Sequence, residues 1–354
     1  MMFYHLAQHF SGSSLGNFLH YVSVRSIGAL MTSLCLYFIF GRRFLRLSEK
    51  LFRSQVRDDT PDSHQIKNDT PTMGGLIILV VFVANTCLWN NLARPEVWLL
   101  VACLLSFGVI GFIDDWSKVR ARRGLGAKAK FILQCLSAGF VVVVWHFLMS
   151  PGTRLCVPAI KFLDFDMGLL AIPWAMFLIV AASNAVNLTD GLDGLATGPL
   201  ITNLSAFGAI AYLAGHKYFA IYLHIPHMSS SEITICCTSL IGVLLGFLWH
   251  NTYPAQIFMG DIGSLSLGAG LAFIALLTGQ ELLLAITGGI FVLETVSVLA
   301  QVASYRLLGR RIFLMAPIHH HFELKGWNEA KITIRFWIIS FLLALVALLL
   351  LKIR

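Results

Sequence analysis

The chain has 354 residues, 57% of them hydrophobic and only 12% charged, with a mean hydropathy of +0.77 and a formal net charge of +8. Soluble domains carry about 25% charged residues, so a water-soluble globule is excluded. The apolar runs are continuous rather than short and alternating, which excludes a transmembrane β-barrel.

The N-terminal stretch MMFYHLAQHFSGSSLGNFLHYVSV lacks a basic leader and reads as an aromatic interfacial segment, not a cleavable signal. Ten apolar windows follow, near 24–40, 73–90, 97–113, 131–149, 167–183, 199–214, 235–250, 262–279, 282–304 and 333–351. A helix crossing a bilayer needs about 20 predominantly apolar residues and satisfies its own backbone in lipid. The expected fold is therefore an all-α polytopic membrane protein of ten transmembrane helices, forming one domain over residues 1–354. The seven cysteines fall mostly inside these windows without metal-type spacing, and read as small apolar packing residues.

Sidedness follows from the basic residues. With ten spans, the segments 41–72, 114–130 and 304–331 share one side and hold eighteen of the twenty-six Lys and Arg. Six lie on the other side and two at span ends. The positive-inside rule puts the first side in the cytoplasm and both termini in the periplasm. This placement speaks for a membrane surface and against a nucleic-acid partner. The longest outward loop, 150–166, contains Pro151-Gly152 and Pro158 and suggests a turn-rich hairpin cap.

Five polar patches then fall in the five cytoplasmic segments. In HQIKNDTPTMGG, Pro71 and the glycines mark a helix start, and Lys67, Thr70 and Thr72 are suitable donors for anionic oxygens. In VIGFIDDWSK, Asp114 and Asp115 end a seventeen-residue uncharged run. Helix neighbours point about 100° apart, so both serve one site only at a frayed helix end or turn. Solvated acids beside Lys118, Arg120, Arg122 and Arg123 are the plain alternative; divalent-cation binding or proton abstraction is the functional one.

In SNAVNLTDGLDGLA, Asn184, Asn187, Asp190 and Asp193 recur every three residues. Such steps drift by about 60° on an α-helix, so adjacent pairs share a face and all four do not. Gly191 and Gly194 suggest that the helix opens there to admit a ligand. In NTYPAQIFMGDIGS, Asp261 is either an N-cap with Ser264 or a Mg²⁺ ligand beside a phosphate-binding helix start. Phe258 either packs or stacks on a base. In APIHHHFELKGW, three consecutive histidines cannot share one zinc ion; in a basic loop they read as donors to a diphosphate. No GxxxxGK[ST] occurs, which disfavours P-loop chemistry. Together the patches point to Mg²⁺-dependent phosphoryl transfer at the inner membrane surface, with a lipid as one substrate.

TPTMGG, GFIDDW, NAVNLTDGLDGLA, NTYPAQIFMGDIGSL and APIHHHFELKGW, in this order, resemble the polyprenyl-phosphate N-acetylhexosamine-1-phosphate transferases. The histidine motif marks their phospho-N-acetylmuramoyl-pentapeptide transferase branch. The resemblance implies transfer of phospho-MurNAc-pentapeptide from UDP-MurNAc-pentapeptide to undecaprenyl phosphate, giving lipid I and UMP, in the bacterial inner membrane. It also implies ten helices, a cytoplasm-facing cleft, Mg²⁺ and a homodimer. Carried over by motif, Asp114 and Asp115 are the catalytic pair, Asp114 being favoured as base, and Asp261 is catalytic and the Mg²⁺ ligand. Lys67, Thr72, Lys130, Asn184, Asn187, Asp190, Asp193, Asn251 and Phe258 line the substrate site, Phe258 against uracil. His319, His320 and His321 face the diphosphate or sugar, His319 within the catalytic group. The loop KVRARRGLGAKAK departs from the family, being about two residues shorter with Arg123 at the usual lysine.

Attack by the lipid phosphate on the β-phosphorus and a covalent phospho-sugar aspartate both remain open. So do two rival functions. A sister UDP-GlcNAc transferase would keep the aspartates but lack APIHHHFELKGW. A cation-coupled transporter would place acids near the bilayer midplane, where only Glu294 lies; a structural pairing between helices is the expectation for it.

Overall fold

A computed structural model describes Tyr4 and residues 14–52, 70–121, 123–158, 160, 164–228 and 230–353. A short helix, α1 (Ser14–His20), leads into α2 (Val22–Leu51). Then come α3 (Gly74–Trp89), α4 (Pro95–Ala121) and α5 (Ala127–Met149). A two-stranded antiparallel hairpin, β1 (Arg154–Cys156) with β2 (Asp164–Asp166), pairs Leu155 with Phe165 and forms the cap expected of the 150–166 loop. It is followed by α6 (Ala171–Thr189), α7 (Thr197–Ala214), α8 (Lys217–Leu223) and α9 (Glu232–Asn251). The chain ends with α10 (Gly260–Leu277), α11 (Glu281–Thr287), α12 (Gly289–Leu308), α13 (Ile318–Leu324) and α14 (Glu329–Ile353).

Every one of the ten apolar windows falls on helix, the ninth on α11 and α12 together. Among the described residues, eight helices are long and apolar enough to cross a membrane: α2, α4, α5, α6, α9, α10, α12 and α14. The other two windows differ for physical reasons. Helix α3 has 16 residues and is mostly buried in the bundle, while α7 carries Thr197, Thr202, Asn203 and Ser205. The peripheral helices turn large apolar side chains outward, among them Phe140, Phe147, Leu299 and Leu342. A bilayer covers such a surface; water would not. The protein is an all-α, multi-pass membrane protein.

The centre of the bundle is α10, whose residues from Ile262 to Leu276 are all buried. It packs against α3, α4 and α6. Small residues permit the close approach. A Cβ at Gly111 of α4 would stand 2.3 Å from the Asp261 carbonyl oxygen, and one at Gly75 of α3 would stand 2.1 Å from the Gly263 nitrogen. These two glycines bring the ends of α3 and α4 onto the first turn of α10. Farther along the bundle, α2, α3 and α9 are tied by polar contacts: Asn85 donates to the Ala29 carbonyl and to Ser239 Oγ, and Ser33 donates to the Ser239 carbonyl. Without a hydrophobic drive between helices in lipid, such packing and hydrogen bonds hold the bundle.

Candidate active site

Asp114 and Asp115 do not sit at a frayed end. Helix α4 continues to Ala121, well past the apolar window, and both carboxylates stand on an intact helix. They reach one site because Lys118 follows them by four and three residues, the spacing that puts side chains on one helix face. Lys118 Nζ lies 3.0 Å from Asp114 Oδ2 and 3.5 Å from Asp115 Oδ1. It also lies 2.9 Å from Asp261 Oδ2. Lys130, in the first turn of α5, makes the second bridge, at 3.1 Å to Asp114 Oδ2 and 2.6 Å to Asp261 Oδ2. Three carboxylates from two helices therefore share two ammonium groups.

The remaining lone pairs are partly taken by backbone. Asp114 Oδ1 accepts from the Leu125 N–H at 2.5 Å, and Asp115 Oδ2 accepts from the Ile262 N–H at 3.2 Å. Asp114 and Asp115 are thus differently placed: the first is enclosed by two lysines and a backbone donor, while the second is bound closely only to the start of α10. Asp261 is the second residue of α10, and no side chain caps that helix. Its carboxylate faces the lysines instead, and Asn187 donates to its Oδ1 at 2.9 Å and to Ser264 Oγ at 2.9 Å. The N-cap reading of Asp261 is set aside.

Helix α6 ends at Thr189 and opens at Asp190 and Gly191, as the two glycines suggested. Asn187 and Asp190 stay with the cluster. Burial first, then the charges of Asp261, Asp115 and Asp193, push the half-buried Asp190 carboxyl up to about 8. The other two members of the three-residue repeat point elsewhere. Asn184 donates to Gln134 Oε1 and to the Val180 carbonyl, both at 2.8 Å, and so ties α6 to α5. Asp193 accepts from the Ala255 N–H at 2.9 Å, and its own N–H donates to Glu329.

The 250–261 loop is held as a wall beside the cluster. Buried Asn251 accepts from Thr197 and donates to the Ile257 carbonyl. Half-buried Phe258 exchanges backbone bonds with Pro71 and Gly74, which sets Thr72 close to Gly260. The expected donor Lys67 lies outside the described residues.

The histidine helix α13 lies beside the loop that follows α6, with His319 Nε2 against Gly191. His319 is buried against Glu294. His320 Nδ1 stands 2.6 Å from Glu323 Oε2. His321 Nδ1 accepts from the Leu314 N–H at 3.1 Å, and slight burial with the charge of Lys325 lowers its pKa. The triplet is thus anchored by Glu294, Glu323 and backbone rather than by the aspartates. Lys118 is the main site residue that sequence reading passed over as a solvated base; its spacing from Asp114 and Asp115 was the available signal.

Among the described residues no three His, Cys, Asp or Glu side chains stand at metal-ligand spacing. The donors in the cluster are oxygens, with no thiol or imidazole bonded to them. This set fits a hard cation held by one or two carboxylates and completed by substrate phosphates, the usual manner for Mg²⁺. It does not form an all-protein cage.

The chain matches two known family patterns. Residues 67–79 match phospho-N-acetylmuramoyl-pentapeptide-transferase signature 1, the segment whose end docks on the Phe258 wall. Residues 97–279, more than half of the chain, match the model described as Glycosyl transferase family 4. That stretch contains all three clustered aspartates, both lysines and Asn187. The chain belongs to glycosyl transferase family 4, and within it carries the phospho-N-acetylmuramoyl-pentapeptide-transferase signature.

Proposed function

We infer that the protein transfers phospho-MurNAc-pentapeptide from UDP-MurNAc-pentapeptide to a polyprenyl phosphate carrier, the first membrane step of peptidoglycan synthesis. The family and signature matches support the reaction. The observation that carries the site assignment is the bridging of Asp114, Asp115 and Asp261 by Lys118 and of Asp114 and Asp261 by Lys130. Undecaprenyl phosphate is the proposed carrier. An oxygen of its phosphate forms a bond to the β-phosphorus of the nucleotide sugar, the bond from that phosphorus to the bridging oxygen breaks, and UMP leaves with that oxygen. Any proton on the lipid phosphate passes to the Asp114/Asp115 pair. Catalysis of this kind rests on positioning and charge neutralisation.

Lys118 and Lys130 bind and orient phosphate oxygens, and Asn187 keeps Asp261 aimed at them. Bound Mg²⁺, held by Asp261, would neutralise diphosphate charge. Asp190 borders the nucleotide-sugar side, Asp193 braces the 250–261 wall through the Ala255 N–H, and Phe258 offers a ring for uracil. With ten spans, the distribution of Lys and Arg supports a cytoplasm-facing site, and the resemblance adds a location in the bacterial inner membrane and a homodimer.

Donor competition tests the reading. Purified protein with polyprenyl phosphate and Mg²⁺ should release UMP from UDP-MurNAc-pentapeptide, with UDP-GlcNAc neither used nor inhibitory at equal concentration. Preferential use of UDP-GlcNAc would move the protein to the sister transferases.

A further inference from the structure

Glu294 of α12, the acid expected only to tie helices together, is 0% exposed, and the side chain within ion-pair distance of it is His319 of α13, 1% exposed. Glu294 Oε2 and His319 Nδ1 are 3.1 Å apart. Neither carboxylate oxygen and neither ring nitrogen has a well-aligned hydrogen bond among the described residues. On the other side of the ring, Nε2 lies against Gly191, where a Cβ would stand 2.4 Å from it. One imidazole is therefore clamped between a carboxylate inside the bundle and the loop that bears Asp190 and Asp193.

A carboxylate without a partner is costly to bury, so Glu294 needs the imidazole. The reverse dependence has a chemical consequence. A neutral histidine carries its proton on either nitrogen, and a carboxylate beside one nitrogen decides which and fixes the ring plane. The neighbouring His320 ring packs on that of His319, with centroids 4.2 Å apart, but His320 Nδ1 is itself held by Glu323, so among the described residues Glu294 is the carboxylate at ion-pair distance from the His319 ring. The loop from Asp190 to Asp193 rests directly on this ring, and Asp190 belongs to the charge cluster around Asp261.

We propose that Glu294 is a positioning residue for the transfer reaction: it holds His319 with the Nδ1 proton toward its own carboxylate and Nε2 against Gly191, and so sets the Asp190–Asp193 loop in register with Asp261. This rests on the transferase reading, but the ring state can be measured without any substrate. It also differs from a plain helix tie. A glutamine at 294 keeps the volume and one hydrogen bond, yet its amide accepts at one end and donates at the other, so the tautomer is no longer selected.

The test uses full-length protein in lipid nanodiscs with ¹⁵N-labelled histidine, the His319 signals being assigned by their loss in His319→Asn. The wild type should show one tautomer with the proton on Nδ1, and Glu294→Gln should show a mixture or the other tautomer at unchanged thermal unfolding. In the UMP-release assay, Glu294→Gln should lower kcat by about 10- to 100-fold, the range for removing a partner that orients a functional histidine, with KM for the nucleotide sugar within about twofold. Glu294→Gln added to His319→Asn should cause no further loss. Gly191→Ala, pressing on Nε2 from the other side, should reproduce the kcat effect. An unchanged ¹⁵N pattern in Glu294→Gln, wild-type turnover of that variant, or losses that multiply in the double variant would each overturn the proposal. If wild-type protein fails to use UDP-MurNAc-pentapeptide while the ring state still follows residue 294, the functional reading fails and the pairing stands.

Discussion

Two groups of buried charge lie at the two ends of the bundle, and they are built on opposite plans. At one end, Arg25 and Glu232 meet at 2.8 Å as a matched pair. Glu232 Oε2 also accepts from Arg25 Nη1, Asn90 and the Asn91 N–H, and Arg25 donates to the Trp89 carbonyl. Charge is balanced, and both side chains are about 95% buried. At the other end, Asp114, Asp115 and Asp261, with Asp190 nearby, face Lys118 and Lys130 among the described residues. Here Lys118 is 35% exposed, and among the described residues three carboxylates share two ammonium groups. The first group is balanced in charge and holds helices. Among the described residues the second has more carboxylates than cations, and a divalent ion arriving with a nucleotide diphosphate would complete it.

The contrast can be broken most severely at Asp261. Asp261→Asn should lower UMP release by about 1,000-fold or more, as expected for loss of a charge placed for the transition state, while insertion and thermal unfolding stay near wild type. Near-normal turnover would remove Asp261 from the chemistry. Glu232→Gln should do the reverse. Breaking a buried pair costs about 3–5 kcal/mol, so its unfolding midpoint should fall sharply, while kcat per folded molecule stays within twofold. A selective loss of kcat would mean that the matched pair is not merely structural.

Lys130→Met should reduce kcat by about 100-fold, the scale for one oriented donor, which steady-state UMP release can measure. The smallest effect concerns Asp190. Its carboxyl binds a proton more tightly in the folded state, up to about 8, than in the unfolded chain. The unfolded state then holds fewer protons from about pH 4 to pH 8, and stability falls as pH rises through that window. Asp190→Asn should flatten this slope in metal-free protein, and thermal unfolding at pH 5 and pH 8 would show it.

Of this contrast, only the acidic half was legible in the sequence. Apolar runs located every long helix, because lipid demands them, and glycines after Asp190 announced the opening of α6. Paired aspartates and Asp261 stood out because acids at span ends have no solubility role. Other features depend on tertiary approach and leave no local trace. Nothing in the spacing of Asn184 says that Gln134 takes it away from the site. That Lys118 joins three carboxylates requires knowing that Gly111 lets α4 touch the first turn of α10. Glu294 and His319 are twenty-five residues apart in the chain, on separate helices, and only the fold discloses their contact. The ten-span expectation counted hydropathy alone, whereas α3 and α7 derive their burial from neighbouring helices.

The most direct measurement is UMP release by wild-type protein from UDP-MurNAc-pentapeptide, with polyprenyl phosphate and Mg²⁺ each supplied or withheld. If the carboxylate–lysine cluster is where lipid phosphate meets nucleotide sugar, UMP appears only with both present, one molecule for each lipid-linked product. Continuous UMP release at the same rate without polyprenyl phosphate would contradict it.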